Sequence, residues 1–189
     1  KWSASCQGFP HSPVPRRQSG GSPREEQLRV KICGLTRAID AQVAEQSGAS
    51  YAGVILVPGS PRRVSLLRAY TLARAVDIPL VVVISDLGLD EAVAAAERAR
   101  AGGIQLHGDE SPEMVRELRR RGPWELWKVV RVRSRDDILR ALDQFGALVD
   151  LLLLDSWQVD QLGGTGTAFS WEALGSVREA IPSSVRIGV

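Results

Sequence analysis

The sequence predicts an α/β fold with parallel strands, of the (β/α)8 TIM-barrel type. Three observations carry this. From Leu28 onward, short apolar runs alternate with amphipathic stretches, the pattern of successive β/α units. The order strand, helix, strand makes the strands parallel, because each helix returns the chain to the end where the previous strand began. Polar side chains also stand inside the strand candidates, at inward positions that in a barrel face a site instead of a covering helix. A doubly wound open sheet is the competing closure, but it calls for a Gly-x-Gly-x-x-Gly turn after the first strand, and residues 33–36 read Cys-Gly-Leu-Thr.

Taken in order, the candidate strands are Leu28 to Cys33, Tyr51 to Leu56, Leu80 to Ser85, Gly103 to Leu106, Leu126 to Arg131, Asp150 to Leu154 and Val185 to Val189. Between them, helical periodicity covers 37–47, 66–76, 89–101, 112–121, 135–145 and 171–181. About seven strands and six helices are thus present. Thr36, Ser65, Ser111 followed by Pro112, Ser134 with Asp137 three residues on, and Ser170 are the expected helix caps, since a hydroxyl can accept from an unpaired first-turn amide. Strand parity sets the faces. Arg29, Lys31 and Cys33 share one face of the first strand, while Leu28, Val30 and Ile32 share the other. With the apolar face turned to the helices, Lys31 and Cys33 look inward. In the sixth strand Leu151, Leu153 and Asp155 share a face, and Asp155 ends the run of leucines at the carboxyl rim.

Residues 1–27 read differently. They hold Pro10, Pro13, Pro15, Pro23 and five serines, with few aliphatic side chains, so they are expected to be a disordered or foreign segment outside a domain at 28–189. They carry no acidic residue before Glu25 and are rich in Ser and Arg, as transit segments are, but lack the apolar core of a secretory signal. The head holds 4 of the 24 basic and 2 of the 22 acidic residues, which leaves 20 of each and a neutral domain. Neutrality removes the electrostatic case for a nucleic-acid partner. No apolar run approaches the roughly 20 residues that span a bilayer, so no membrane partner is expected. Two cysteines, Cys6 and Cys33, are too few for a disulfide framework and fit a reducing, cytoplasmic compartment.

Several residues can carry chemistry. Cys33 at a strand's carboxyl end is either a buried inert thiol or a nucleophile or base, and Lys31 on the same face favours thiolate over thiol. Asp155 can be a general acid or base, or a cap or ion-pair partner of the next loop. Together across a barrel mouth they supply one group that gives a proton and one that removes it, which is isomerase chemistry. Gly163, Gly164, Thr165 and Gly166 form a glycine-rich run whose amides can bind phosphate or whose flexibility can serve a lid, though an ordinary turn looks the same. His107 ends the fourth strand; Arg62 and Arg63 follow the second and can clamp a carboxylate or phosphate. No second His lies near His107 and no Cys stands at ligand spacing from Cys33, so no metal is expected.

Five of these stretches together resemble the phosphoribosylanthranilate isomerases of tryptophan biosynthesis. They are Lys-Ile-Cys-Gly-Leu-Thr at 31–36, Ser-Pro-Arg-Arg-Val at 60–64, Gln-Leu-His-Gly-Asp-Glu-Ser-Pro at 105–112, Leu-Leu-Leu-Asp-Ser at 152–156, and Gly-Gly-Thr-Gly at 163–166 with Phe-Ser-Trp at 169–171. The resemblance implies a (β/α)8 isomerase without metal or cofactor that converts N-(5′-phosphoribosyl)anthranilate to 1-(2-carboxyphenylamino)-1-deoxyribulose 5-phosphate by an Amadori rearrangement. It implies Asp155 as the general acid, Cys33 as the base, Arg62 holding the anthranilate carboxylate, and His107 and Lys31 near the substrate. It also admits fusion to, or association with, another tryptophan-pathway enzyme. The family pattern continues past the seventh strand into an eighth, whose loops hold phosphate, whereas this sequence reaches Val189 first. The expectation is a barrel lacking its last unit and weak or absent turnover by these 189 residues alone. Two other readings stay open: a related barrel isomerase acting on another sugar phosphate, and a non-catalytic module that pairs through open strand edges.

Overall fold

A computed structural model describes residues 28–156 and 174–189. Seven strands form one sheet in the order β1-β2-β3-β4-β5-β6-β7, with every neighbouring pair parallel. They are β1 Lys31–Cys33, β2 Tyr51–Ile55, β3 Leu80–Ile84, β4 Gly103–Leu106, β5 Glu125–Val132, β6 Leu151–Ser156 and β7 Arg186–Gly188. The helices between them are α1 Ala38–Gln46, α2 Leu66–Ala73, α3 Leu89–Ala99, α4 Pro112–Arg121 and α5 Arg135–Phe145. The expected sixth helix falls partly outside the described residues; from 174 onward the chain forms a 3-10 turn at Arg178–Ala180. Sequential strand order has no reversal point, which excludes the doubly wound alternative.

The sheet curls. On a flat sheet β7 and β2 would lie five strand spacings apart, about 24 Å. Yet Arg186 Nη1 on β7 donates to the Tyr51 hydroxyl on β2 at 3.2 Å. Only a sheet rolled toward closure lets side chains of distant strands meet on its inner face. In-register inward residues run Cys33, Gly53 and Val81 across β1 to β3, then Trp127, Leu151 and Arg186 across β5 to β7.

The outward faces make the main core. Val54, Val82, Ile84, Ile104, Leu106, Leu126 and Leu152 are fully buried against Leu72 of α2, Leu118 of α4 and Ile138 of α5. Removing such residues from water supplies about 1.5 to 3 kcal/mol per large side chain. A smaller inner cluster of Tyr51, Val81 and Trp127 fills the lumen near the amino ends of the strands. Tyr51 and Trp127 pack edge to face there, with centroids 4.8 Å apart. The outward side chains at β1 differ, since Ile32 and Val30, the residue just before the strand, remain about two-fifths exposed at 40% and 42%.

Most caps match expectation. Ser65 Oγ accepts from Arg68 N at 3.2 Å, and Ser111 Oγ accepts from Met114 N at 3.3 Å ahead of Pro112. Ser134 and Asp137 pair, with Asp137 Oδ2 accepting from the Ser134 amide at 2.9 Å. Thr36 is a correction: Arg37 occupies the N-cap of α1 and makes no side-chain cap bond. Its guanidinium instead grips Asp40 in the first turn, at 2.6 and 2.7 Å, so the helix starts one residue later than the hydroxyl suggests. Ser170 lies outside the described residues. β1 is also shorter than Leu28 to Cys33, because its ladder with β2 begins at the Lys31–Tyr51 pair.

Candidate active site

The carboxyl ends of the strands form a rim, and the chain directs its polar side chains there. At the end of β1, Gly34 adopts φ +82°, a left-handed turn that favours glycine. The turn is pinned from below, since the amides of Gly34 and Leu35 both donate to the Gly53 carbonyl at 2.9 Å. Gly53 itself stands in register with Cys33. A Cβ at Gly53 would come 3.1 Å from Cys33 Cα and 3.3 Å from its Sγ. The missing side chain therefore leaves room for a partly exposed thiol.

Arg62 reaches this corner from the loop after β2. That loop folds back on its own strand, with Arg63 N donating to the Ser60 carbonyl at 3.0 Å and Val64 N to the Ile55 carbonyl at 2.9 Å. Arg62 Nη1 then donates to the Cys33 carbonyl at 3.1 Å. Its guanidinium lies over Gly34, where a Cβ would sit 2.7 Å from Nη1. An exposed, permanently charged fork beside the thiol suits a planar carboxylate.

Lys31 projects inward one layer below Cys33. Its ammonium donates to Gln105 Oε1 and lies 5.2 Å from the centre of the Trp127 ring. Burial pushes its pKa below the usual lysine value, while the charge of a Cys33 thiolate and a hydrogen bond to it act the other way. Gln105 Nε2 continues the line to His107 Nδ1 at 3.2 Å. Burial also lowers the His107 pKa, opposed by the Asp155 carboxylate and reinforced by Arg131 and Lys128.

Asp155 is the fifth residue of β6, in register with Arg131 of β5, and shares the inward parity of Leu151 and Leu153. Its neighbours Leu152 and Leu154 are buried outward. The parity reading of β1 and β6 therefore holds, and it brings Cys33, Lys31, His107 and Asp155 to one lumen, with Arg62 at its edge. Gly163, Gly164, Thr165 and Gly166 lie outside the described residues. Among the described residues, no group of three or more His, Cys, Asp or Glu gathers as a metal site. No helix among them is long and apolar enough to cross a membrane.

Two supports were not legible in the sequence. Gln105 is buried and joins Lys31 to His107. Glu110 lies beneath the β4–α4 loop, where its Oε1 accepts from the amides of Asp86 at 3.1 Å and Gly108 at 3.0 Å. Lys128 Nζ binds Glu110 Oε2 at 3.0 Å and the Gly108 carbonyl at 2.6 Å. Gly108 is thus held at both its amide and its carbonyl, which fixes the backbone next to His107. Parity places Gln105 inward, but nothing local distinguishes it from a buried lumen filler.

Comparison with known proteins places the chain among relatives of one kind. Residues 30–187 match the N-(5′-phosphoribosyl)anthranilate (PRA) isomerase family. N-(5′-phosphoribosyl)anthranilate isomerase of Gloeobacter violaceus is 38% identical over 159 residues, covering 82% of this chain and 71% of the relative. The enzyme of that name from Rhodopseudomonas palustris is 36% identical over 167 residues, 86% of this chain and 76% of the relative. The crystal structure of phosphoribosyl anthranilate isomerase from Thermotoga maritima superposes with a TM-score of 0.76 at 27% identity, over 86% of this chain and 77% of that one. A structure of such an isomerase in complex with reduced 1-(o-carboxyphenylamino)-1-deoxyribulose 5-phosphate superposes with a TM-score of 0.71 at 26% identity, over 85% of this chain and 75% of that one.

Proposed function

The chain belongs to the N-(5′-phosphoribosyl)anthranilate isomerase family, and from that premise we propose that it binds this small-molecule substrate and carries out the aldose-to-ketose Amadori rearrangement of tryptophan biosynthesis. The observation that supports the residue roles is the grouping of Lys31 and Arg62 around Cys33, with Asp155 at an inward position near the carboxyl end of β6. A cytoplasmic location belongs to the same reading.

In this mechanism Asp155 protonates the furanose ring oxygen, and the ring opens as the anthranilate nitrogen forms a Schiff base with C1. Cys33, as thiolate, removes the proton from C2, and its electrons neutralise the iminium to give an enolamine. Tautomerisation moves a proton to C1 and leaves the ketone at C2. Arg62 holds the anthranilate carboxylate, which orients C2 toward the base. Gly163 to Gly166 supply phosphate or lid contacts in this reading.

The test is conversion of N-(5′-phosphoribosyl)anthranilate, run beside Cys33→Ser and Asp155→Asn, together with titration by the reduced product analogue. Product formed above the level of both variants, however slowly, supports the assignment. Neither product nor analogue binding would overturn it.

A further inference from the structure

The line from Lys31 through Gln105 to His107 has its polarity set by elementary donor and acceptor chemistry. An ammonium has three N–H groups and no lone pair, so the Gln105 amide turns its oxygen toward Lys31. The amide NH2 then faces His107 Nδ1 at 3.2 Å. Two N–H groups cannot bond each other, so Nδ1 contributes the lone pair and the ring proton resides on Nε2. Gln105 cannot rotate away cheaply, because its side chain is buried between β3 and β5 and a reversed amide would set its NH2 against the Lys31 ammonium and its oxygen against the Nδ1 lone pair.

We propose that Gln105 is a positioning residue: held by Lys31, it fixes His107 as the neutral Nε2–H tautomer, so that His107 meets the substrate as a hydrogen-bond donor to an oxygen and not as a base. The role toward substrate rests on the proposed isomerase function; the tautomer does not. The surroundings agree. Burial opposes a charged ring, as do Arg131 and Lys128 of β5, while Asp155 of β6 and Glu110 after β4 favour one. A neutral donor also leaves Cys33 as the base at this rim, and a second base would compete with it for protons.

Long-range 15N–1H correlation spectra of the labelled chain read the tautomer directly, with His11→Asn identifying the His107 signals. The wild type should show a protonated Nε2 and an unprotonated Nδ1. In Gln105→Glu a carboxylate oxygen faces Nδ1, so the proton moves there or the ring charges, and the His107 titration rises by about one unit or more. Lys31→Met, a second variant, frees the amide to turn and should give a mixture of both tautomers. A wild-type Nδ1–H, or an unchanged tautomer and titration in both variants, would overturn the assignment. The positioning role adds a kinetic expectation: kcat/KM of Gln105→Glu falls, with a pH dependence that follows the new His107 titration. A profile superimposable on the wild type would overturn that role. A wild-type chain with the expected tautomer but neither turnover nor analogue binding would refute the proposed function and leave the tautomer standing.

Discussion

Glu110 and Lys128 form an ion pair at 3.0 Å with side chains 0% and 6% exposed, directly under the loop that carries His107. The carboxylate also takes two backbone amides, and the ammonium takes a backbone carbonyl. Such a pair is costly to break because removing one partner strands the other's charge away from water. Glu110→Gln or Lys128→Met should each lower unfolding free energy by about 3 to 5 kcal/mol. In urea denaturation the double variant should lose less than the sum of the two. Additive losses would show that the two charges act independently.

Gly34→Ala tests the corner where Arg62 meets Cys33. Alanine there must hold φ +82° and place its Cβ 2.7 Å from Arg62 Nη1. The strained backbone costs on the order of 1 to 3 kcal/mol, and Arg62 must move. The expected result is a lower denaturation midpoint together with weaker binding of the reduced product analogue. Arg62→Ala should weaken binding without the stability loss, since Arg62 is exposed.

Cys33→Ser and Asp155→Asn should abolish most turnover while leaving analogue binding largely intact. Loss of a positioned acid or base is worth about 10² to 10⁴ in rate. Single-turnover measurements with each variant separate binding from proton transfer. Full activity in both variants would refute the acid and base assignments.

Tyr51→Phe removes the hydroxyl that knots the amino-terminal end of the lumen. That hydroxyl accepts from Arg29 at 2.9 Å and from Arg186 at 3.2 Å, and donates to Glu125 at 3.0 Å. The partners come from the segment leading into β1, from β7 and from β5. A loss of about 1 to 3 kcal/mol is expected, with faster amide exchange in β7. Chemistry should be spared, because this knot lies at the end of the barrel opposite the rim.

Asp137 gives an acid-sensitive contribution. The Arg133 amide, then the Ser134 amide and hydroxyl and Arg140, hold its carboxyl below the ordinary aspartate pKa. A depressed folded pKa stabilises the fold above the unfolded value and loses that stabilisation as pH falls through the folded one. Asp137→Asn should therefore be less stable than the wild type near neutrality by about 1 kcal/mol. The gap should close as the pH falls below the ordinary aspartate range. A gap independent of pH would indicate that the cap works without its charge.

Much of this was legible from residue order alone. The alternation of β1 with α1 through β6 marks parallel units, and the caps Ser65 and Ser111 work locally. Period-two parity put Lys31, Cys33 and Asp155 inward because a strand has only two faces. The Thr36 cap failed: Arg37 takes the N-cap position of α1, and its guanidinium pairs with Asp40 three residues on.

Which side chains face the lumen follows from residue order within each strand, since alternation is a property of one strand. Which of them meet depends on how the whole sheet rolls. Rolling the sheet brings Lys31 of β1 to Gln105 of β4, and Arg186 of β7 to Tyr51 of β2, across 74 and 135 residues of chain. Those distances close through the summed twist and curl of all the strands, and no local pattern encodes that sum. The same roll turns Gln105 from a buried polar residue into the link between an ammonium and an imidazole. Its neighbours set its orientation, and through it the side of the His107 ring that carries the proton.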